Sequence, residues 1–313
     1  MNIAFVFPGQ GSQAVGMGAA LAQAFPAAKT VFDEVDDALD QKLSTLMWEG
    51  PEADLTLTAN AQPALMAVSM AAMRALETEG FALSDKVAYV AGHSLGEYAA
   101  LAAAGALSLA DTARLLKTRG RAMQDAVPVG EGAMAALLGA DLKQAQELAE
   151  AASEGECCQV ANDNAQGQVV ISGKKTAIER AVALAPKFGV RRAVLLPVSA
   201  PFHCALMQPA ADVMAEALAS VMISAPAVPL VANVLAEPIM DPEDIRSRLV
   251  EQVTSMVRWR ETMQFLASNG VDAMYEVGSG RVLTGMARRL DGVEARSIGT
   301  PEELESAAAA LNG

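Results

Sequence analysis

Histidine and cysteine are scarce in this chain of 313 residues, which has two histidines and three cysteines. Cys157 and Cys158 are adjacent, so the cysteines cannot form a disulfide framework, and we expect a reduced, cytoplasmic protein. No apolar run is long enough to cross a bilayer, and the N-terminus lacks the basic region of a signal peptide. Aromatic residues make up only 4% of a composition that is 52% hydrophobic, which predicts a core built mainly from Ala, Val, Leu and Met.

Positive charge is also in short supply. The formal net charge of −14 argues against nucleic acid and anionic membranes as partners. An acidic protein partner remains compatible with this charge, because basic residues are grouped locally in two clusters. The first comprises Lys187, Arg191 and Arg192, and the second comprises Arg281, Arg288 and Arg289. Each cluster is either a docking surface or an ordinary solvated face.

Strand-like and helical runs alternate along the first half of the chain, which predicts an α/β fold. The predicted strands are Ile3–Phe7, Val87–Ala91, Ala133–Leu138, Cys157–Ala161, Val169–Ser172, Arg192–Leu195, Val228–Asn233 and Ala273–Glu276. The predicted helices are Gly16–Phe25, Ala27–Leu39, Ala64–Glu79 with Pro63 at its start, Leu95–Ala104, Leu109–Gln124, Leu142–Ala152, Thr176–Lys187, Cys204–Val221 and Ile245–Val253. Between 133 and 195 the order is β-α-β-β-α-β, which is the ferredoxin-like arrangement and predicts an inserted subdomain of about 70 residues.

The segment Gly92-His93-Ser94-Leu95-Gly96 follows a short strand and precedes an Ala-rich helix. This is a G-x-S-x-G in the strand–turn–helix context that the motif requires. Glycines on either side of Ser94 permit a sharp turn, so that its hydroxyl projects at the start of the helix. The pattern predicts a nucleophilic serine, and the alternative is a serine that simply caps a buried helix.

A serine nucleophile needs a base, and the chain offers only His93 and His203. His93 directly precedes Ser94 on the turn, so its side chain should point away from the hydroxyl. We therefore predict that His203 is the base, although a histidine at that position can also cap a helix or fill a polar pocket. A rival nucleophile is Cys204, but neighbouring residues rarely bring their side chains together and a small buried cysteine is common.

The segment Pro8–Ala14 is a glycine-rich loop directly after the first strand. It formally fits a dinucleotide-binding fingerprint, but the acidic residues Asp33 and Glu34 fall inside a predicted helix and not at the end of a second strand. There is no G-K-[S/T], so a P-loop is excluded. We interpret this loop as the source of one backbone N–H facing a developing oxyanion, with a second from Leu95.

Arg119 lies near the apolar stripe formed by Leu109, Ala113 and Leu116, so it is predicted to be partly buried. A buried guanidinium requires an anionic partner, and its fork suits two-point contact with a carboxylate. Periodicity alone favours the alternative, an arginine that snorkels to solvent or pairs within the protein.

Five motifs occur together and in order: G-Q-G-S-Q, G-H-S-L-G-E-Y, L-L-K-T-R-G-R, P-F-H-C-A-L-M and Y-E-V-G-S-G-R-V-L. Over nearly its whole length the chain resembles the malonyl-CoA:acyl carrier protein transacylase family of bacterial type II fatty-acid synthesis. The resemblance implies an α/β-hydrolase-like domain, 1–127 and 198–313, that carries a ferredoxin-like subdomain, 128–197. It also implies ping-pong transfer of a malonyl group from malonyl-CoA, which is a substrate, to holo acyl carrier protein, without a cofactor or a metal.

Carried over to this sequence, the resemblance implies that Ser94 is acylated, that His203 is its base and acid, and that Gln10 and Leu95 supply the oxyanion-hole N–H groups. Arg119 would hold the malonyl carboxylate, and the alternatives given above for this arginine become less favoured.

The resemblance also implies that the backbone carbonyl of Gln252 orients the histidine. Phe202 stands where some bacterial members have a small residue. The pair Phe202-His203 resembles that of malonyl-selective acyltransferases, which implies that the ring limits substituents on the α-carbon. Since acyl carrier proteins are acidic, we predict docking at Lys187, Arg191 and Arg192. A thioesterase or esterase, and a non-catalytic binding subunit, are the alternative functions.

Overall fold

The computed structural model describes residues 2–198 and 200–312. Its larger sheet has six strands in the order β10-β9-β1-β2-β7-β8, and all neighbours run parallel except β7 and β8. The strands are β1 (Ile3–Phe7), β2 (Val87–Gly92), β7 (Leu230–Val231), β8 (Pro238–Ile239), β9 (Ala273–Val277) and β10 (Glu294–Ile298). Since β1 lies in the middle of the sheet, all five of its residues are buried.

Alternate residues of β1 point into two different cores, because successive side chains of a strand face opposite sides of the sheet. Phe5 and Phe7 belong to the large core on one face, whereas Ala4 and Val6 belong to a smaller core that contains Trp259. The helices that accompany this sheet are α1 (Ala19–Ala24), α2 (Pro26–Leu39), α3 (Leu43–Glu49), α4 (Glu52–Thr56), α5 (Thr58–Thr78), α6 (Leu83–Lys86), α7 (Gly96–Ala103), α8 (Leu109–Asp125), α11 (Gln208–Ala219), α12 (Pro242–Gln252), α13 (Trp259–Ser268), α14 (Val282–Ala287) and α15 (Pro301–Asn312).

A second, antiparallel sheet is formed by the middle of the chain and has the strand order β4-β5-β3-β6. Its elements are β3 (Gly132–Leu138), α9 (Leu142–Ser153), β4 (Cys158–Ala165), β5 (Gln168–Lys174), α10 (Lys175–Leu184), a short 3-10 helix (Ala185–Phe188) and β6 (Arg192–Leu195). Side chains of this sheet and its two helices form a core of their own, which includes Leu137, Leu148, Ile171 and Ile178. The predicted order β-α-β-β-α-β is therefore present.

Several predicted elements have different bounds in the structure. The helix predicted from Gly16 begins at Ala19, because Gly16 and Gly18 have φ of 94° and 78°, outside the helical region. The helix predicted to start at Pro63 begins earlier, at Thr58, and Pro63 lies inside it. As the sixth residue of this helix, Pro63 costs it one backbone hydrogen bond, so a proline does not by itself mark the first helical residue.

Two further elements near the carboxyl edge of the large sheet are shorter than predicted. The helix predicted from Cys204 is a 3-10 turn, Ala205–Met207, followed by α11, which has Pro209 in its first turn. The strand predicted over Val228–Asn233 contains only Leu230 and Val231. Asn233 leaves the sheet because its side chain contacts the turn that follows β2.

Within residues 2–198 and 200–312, no helix combines the length and the apolar character needed to cross a membrane. The same residues contain no group of three or more histidine, cysteine or acidic side chains arranged to hold a metal ion.

Candidate active site

The turn between β2 and α7 has the sharp geometry predicted from its sequence. Ser94 has a φ of 53°, in the left-handed region that L-residues seldom occupy. A Cβ atom on Gly92 would lie 1.9 Å from the carbonyl carbon of Gly96, and one on Gly96 would lie 2.2 Å from the carbonyl oxygen of Phe7. Glycine is therefore required on both sides of the serine by close backbone contacts.

Asn233 holds this strained turn closed. Its side-chain nitrogen donates to the Gly92 carbonyl at 2.7 Å, and its side-chain oxygen accepts from the Ser94 N–H at 2.8 Å. Asn233 is fully buried, so both hydrogen bonds are shielded from water. Sequence reasoning missed this role, and the available signal was a polar residue two positions after a strand that lies beside β2 and runs parallel to it.

His203 contacts the serine as predicted. Its Nε2 lies 2.7 Å from Ser94 Oγ, and its Nδ1 lies 2.9 Å from the backbone carbonyl of Gln252. Because a carbonyl oxygen can only accept, Nδ1 carries the proton and Nε2 is left to accept the serine hydroxyl. The backbone carbonyl of Gln252 thus lies against His203, where the resemblance placed it.

Burial, and secondarily the charge of Arg119, lowers the pKa of His203 to about 3. The imidazole is therefore neutral near pH 7 and free to take a proton. His93, by contrast, points away from the Ser94 hydroxyl as expected, and its Nε2 lies 2.8 Å from Asn164 Oδ1.

Arg119 is only 1% exposed, so it does not snorkel to solvent. Its Nη1 donates to Gln62 Oε1 at 2.8 Å, and its Nη2 donates to Gln252 Oε1 at 2.8 Å and to Ser94 Oγ at 3.1 Å. The expectation of an anionic partner is not met within the described residues, because amide oxygens and a hydroxyl occupy the guanidinium instead. A full positive charge with neutral partners thus lies beside the serine.

Three buried side chains complete this network, and sequence analysis identified none of them as functional. Gln62 contacts the guanidinium, Asn233 holds the turn, and Glu97 accepts from Gln252 Nε2 at 2.5 Å. Each is at most 2% exposed. A buried polar residue within an otherwise apolar helix is a usable signal for Gln62 and Glu97, because such groups need partners.

A cavity of about 510 Å³ opens onto the serine between the two sheets. The large-sheet side contributes Gln10, Ser94, Leu95, Arg119, Phe202 and His203, whereas the antiparallel sheet contributes Met134, Asn162, Asn164 and Val170. In residues 2–198 and 200–312, the backbone N–H groups of Gln10 and Leu95 have no hydrogen-bond acceptor. Both are thus free donors on residues that line the cavity with Ser94.

The rival nucleophile Cys204 is poorly placed for chemistry. It is fully buried, does not line the cavity, and its Sγ contacts the Pro201 carbonyl at 3.2 Å. A hydrogen bond to Cys157, together with burial, raises the pKa of its thiol. Asp33 and Glu34, the acids of the alternative dinucleotide fingerprint, lie inside α2.

A serine on a strand–turn–helix, in contact with a buried neutral histidine, defines the class of enzymes that act through an acyl-serine. A family model described as the acyl transferase domain matches residues 4–299, and the chain belongs to this acyltransferase family. It is 44% identical over 308 residues to the malonyl CoA-acyl carrier protein transacylase of Bacillus subtilis strain 168, covering 98% of this chain and 96% of that relative.

Solved structures agree closely with the fold. The acyl-carrier-protein-S-malonyltransferase from Bartonella henselae is 58% identical, with a TM-score of 0.98 and full coverage of both chains. A malonyl-transacylase solved in complex with a type II PKS acyl-carrier protein is 41% identical, with a TM-score of 0.96, covering 99% of this chain and 100% of that chain.

Proposed function

We propose that this acyltransferase moves the malonyl group of malonyl-CoA to the phosphopantetheine thiol of holo acyl carrier protein, supplying extender units for fatty-acid synthesis. The observation that carries the proposal is the position of Ser94 Oγ, 2.7 Å from the base His203 and 3.1 Å from the buried guanidinium of Arg119. A nucleophile beside a buried cation suits an acyl group that carries its own carboxylate. The names of the relatives described above support the same substrates.

In the first half-reaction, Ser94 Oγ attacks the thioester carbonyl while its proton passes to Nε2 of His203. The backbone N–H groups of Gln10 and Leu95 donate to the oxyanion of the tetrahedral intermediate. Collapse of this intermediate releases coenzyme A, with His203 returning the proton to the leaving thiolate. In the second half-reaction, the pantetheine thiol of the carrier attacks the malonyl-serine by the same steps, and Ser94 is regenerated.

Arg119 supplies selectivity in this scheme. The malonyl carboxylate replaces Ser94 Oγ as a partner of the guanidinium. Ser94 Oγ, released from this contact, then attacks the thioester. An acyl group without a carboxylate would leave a buried charge without an anion, at a cost of about 1–3 kcal/mol. Phe202 lines the same cavity and, in this proposal, limits substitution at the α-carbon.

Intact-protein mass spectrometry after mixing with malonyl-CoA tests the proposal. We expect a malonyl adduct on the wild type, none on Ser94→Ala, and loss of the adduct when holo acyl carrier protein is added. Absence of the adduct from the wild type would sink both enzymatic hypotheses and favour a non-catalytic binding subunit.

Hydrolysis is the alternative reaction, with water as the acceptor. Hydrolases of this kind use a carboxylate to orient the histidine, whereas here the partner of His203 Nδ1 is the Gln252 carbonyl. Consumption of malonyl-CoA at a steady rate without any thiol acceptor would favour a thioesterase over the transferase.

The two sheets suggest how the chain is divided. We propose that residues 1–127 and 198–313 form an α/β-hydrolase-like domain and that 128–197 form a ferredoxin-like subdomain. The strand order β4-β5-β3-β6 and the separate core of the antiparallel sheet support this division. A cytoplasmic location and the absence of a cofactor and a metal remain predictions from the sequence.

For the carrier protein we propose docking at Lys187, Arg191 and Arg192. All three side chains are exposed, and none of them forms an ion pair within the part of the chain that the structure describes. In the second basic cluster, Arg281 pairs with Glu303 and Arg289 donates to the Gln166 carbonyl. Within the described residues the first cluster has three cations without an ion pair or a side-chain hydrogen bond, whereas the second has one, Arg288, so the first is the better candidate for an acidic surface.

Charge reversal at Arg191 and Arg192, both to Glu, tests this docking surface. We expect the KM for holo acyl carrier protein to rise about tenfold at low salt, while the KM for malonyl-CoA stays within about twofold. Reversal of Arg288 and Arg289, both to Glu, is the charge-matched control in the second cluster. An equal effect of this control, or no effect of the reversal at Arg191 and Arg192, would contradict the proposed surface.

A further inference from the structure

Glu97 is a buried carboxyl group that the reaction described above does not use. It lies in the first turn of α7, three residues after the nucleophile, and is 1% exposed. Its Oε2 accepts from Gln252 Nε2 at 2.5 Å. Within residues 2–198 and 200–312 it forms no ion pair, so its contact with a neutral amide needs a reason.

The Gln252 carboxamide can face two ways, and its surroundings select one of them. Its nitrogen is directed at three acceptors, namely Glu97 Oε2, the Ser94 carbonyl at 2.9 Å and Asn233 Oδ1 at 3.4 Å. Its oxygen accepts from Arg119 Nη2 at 2.8 Å. A flip would place N–H donors against the guanidinium and leave the Ser94 carbonyl, which can only accept, without a proton.

We propose that Glu97 is a positioning residue for malonyl transfer, which keeps the Gln252 carboxamide turned so that its oxygen holds Arg119 and its nitrogen holds the nucleophile turn. This inference rests on the proposed function. The shortest of the three contacts to Gln252 Nε2 is the one from Glu97, and the contact from Asn233 is the longest, since Asn233 Oδ1 already accepts from the Ser94 N–H. Glu97 therefore adds the shortest contact to an orientation that the Ser94 carbonyl and the Arg119 guanidinium also favour.

The charge state of Glu97 matters to Arg119, while a neutral carboxyl group still presents its carbonyl oxygen to Gln252 Nε2. Burial raises its pKa to about 8, an effect opposed by hydrogen bonds from Gln252 and the Asn233 backbone and by the charge of Arg119. Near pH 7 the carboxyl group is therefore mostly neutral, and it does not cancel the positive charge of the guanidinium. Arg119 therefore keeps its charge for the carboxylate of the substrate. Glu97 acts on the orientation of the guanidinium, through Gln252.

The test compares malonyl-CoA with acetyl-CoA in Glu97→Leu, which removes the acceptor. We expect the KM for malonyl-CoA to rise about tenfold and the malonyl-to-acetyl ratio of kcat/KM to fall about tenfold. Glu97→Gln keeps an acceptor oxygen at the same distance, so its ratio should stay within about threefold of the wild type. Glu97→Asp withdraws the carboxyl group by one methylene and should shift the ratio in the same direction as Glu97→Leu, which keeps the test decisive if the leucine variant does not fold.

Glu276→Leu is the matched control for loss of a buried carboxyl group. Glu276 is fully buried and accepts from the Leu283 and Thr284 N–H groups at the start of α14, and it does not line the cavity. This control should lower the melting temperature without changing the malonyl-to-acetyl ratio. In a Gln252→Met background, Glu97→Leu should change the ratio less than about twofold, since the group it acts through is gone.

Three outcomes would overturn the inference: equal losses with malonyl-CoA and acetyl-CoA in both Glu97→Leu and Glu97→Asp, an unchanged malonyl KM in both, or an undiminished effect in the Gln252→Met background. The wild-type adduct separates this failure from failure of the proposed function. If the wild type forms malonyl-serine and the ratio does not move, only the role of Glu97 is wrong.

Discussion

The two walls of the cavity are built on different principles. The polar wall, formed by Ser94, His203 and Arg119 on the large-sheet side, is a continuous hydrogen-bonded network in which His203 and Arg119 are buried and Ser94 is half-buried. The small-sheet wall is formed by Met134, Asn162, Asn164 and Val170, and within residues 2–198 and 200–312 it is joined to the turn residues by one hydrogen bond, between Asn164 and His93. Apart from Arg119 Nε, the polar side-chain atoms of Ser94, His203 and Arg119 have partners within the described residues, so reactivity is expected from the first wall and shape from the second.

The largest effect should come from the polar wall. His203→Ala removes the proton acceptor for Ser94, and we expect malonyl transfer to fall about 10²–10⁴-fold in kcat. Cys204→Ala is the control, because this neighbour is equally buried but lies outside the cavity, and its rate should stay within about threefold. A large loss in Cys204→Ala with a small loss in His203→Ala would instead favour the thiol as the reacting group.

Arg119→Ala should sharpen the contrast by changing selectivity as well as rate. We expect kcat/KM for malonyl-CoA to fall about 10–100-fold while the relative use of acetyl-CoA rises, because hydrogen bonds to a charged group contribute about 1.5–3 kcal/mol. Arg119→Lys keeps the positive charge but loses the two-pronged guanidinium, so its kcat/KM for malonyl-CoA should lie between those of the wild type and Arg119→Ala. An unchanged malonyl-to-acetyl preference in Arg119→Ala would refute the assigned role.

Asn164→Ala tests the small-sheet wall and should have a smaller effect. Loss of its hydrogen bond to His93 is expected to change kcat/KM by about two- to fivefold, and equally for malonyl-CoA and acetyl-CoA. Val170→Ala serves as a control for simple widening of the cavity. A selectivity change in Asn164→Ala as large as that of Arg119→Ala would break the division between the walls.

The same division explains what could be predicted from the sequence. The turn at Ser94 and the contact with His203 were accessible, because a local glycine pattern and a shortage of histidines restrict the choices. Gln62, Glu97 and Asn233 were not identified, because their partners lie far away along the chain and no spacing rule connects them. The secondary structure was predictable to a similar degree. The alternation of strands and helices was predicted, but the first residues of two helices were misplaced, one at a proline and one at two glycines.

The smallest change is expected when the pH is lowered and kcat/KM for malonyl-CoA is measured. An ordinary histidine with a pKa near 6.5 would lose about 25-fold of its neutral form between pH 7 and pH 5. Burial and the charge of Arg119 lower the pKa of His203 to about 3, so its imidazole stays neutral throughout this range. Since kcat/KM reports the free enzyme, its value for malonyl-CoA should change less than about twofold between pH 7 and pH 5.

Circular dichroism at each pH is the control for that measurement, because it separates loss of the base from loss of the fold. Glu97 does not interfere, since its pKa of about 8 lies above the range and its carboxyl group is already mostly protonated at pH 7. An acidic limb of kcat/KM centred near pH 6.5, with the fold intact, would mean that His203 is hydrated and distant from the guanidinium charge. The polar wall would then be as open to water as the small-sheet wall, and the contrast between the two would be lost.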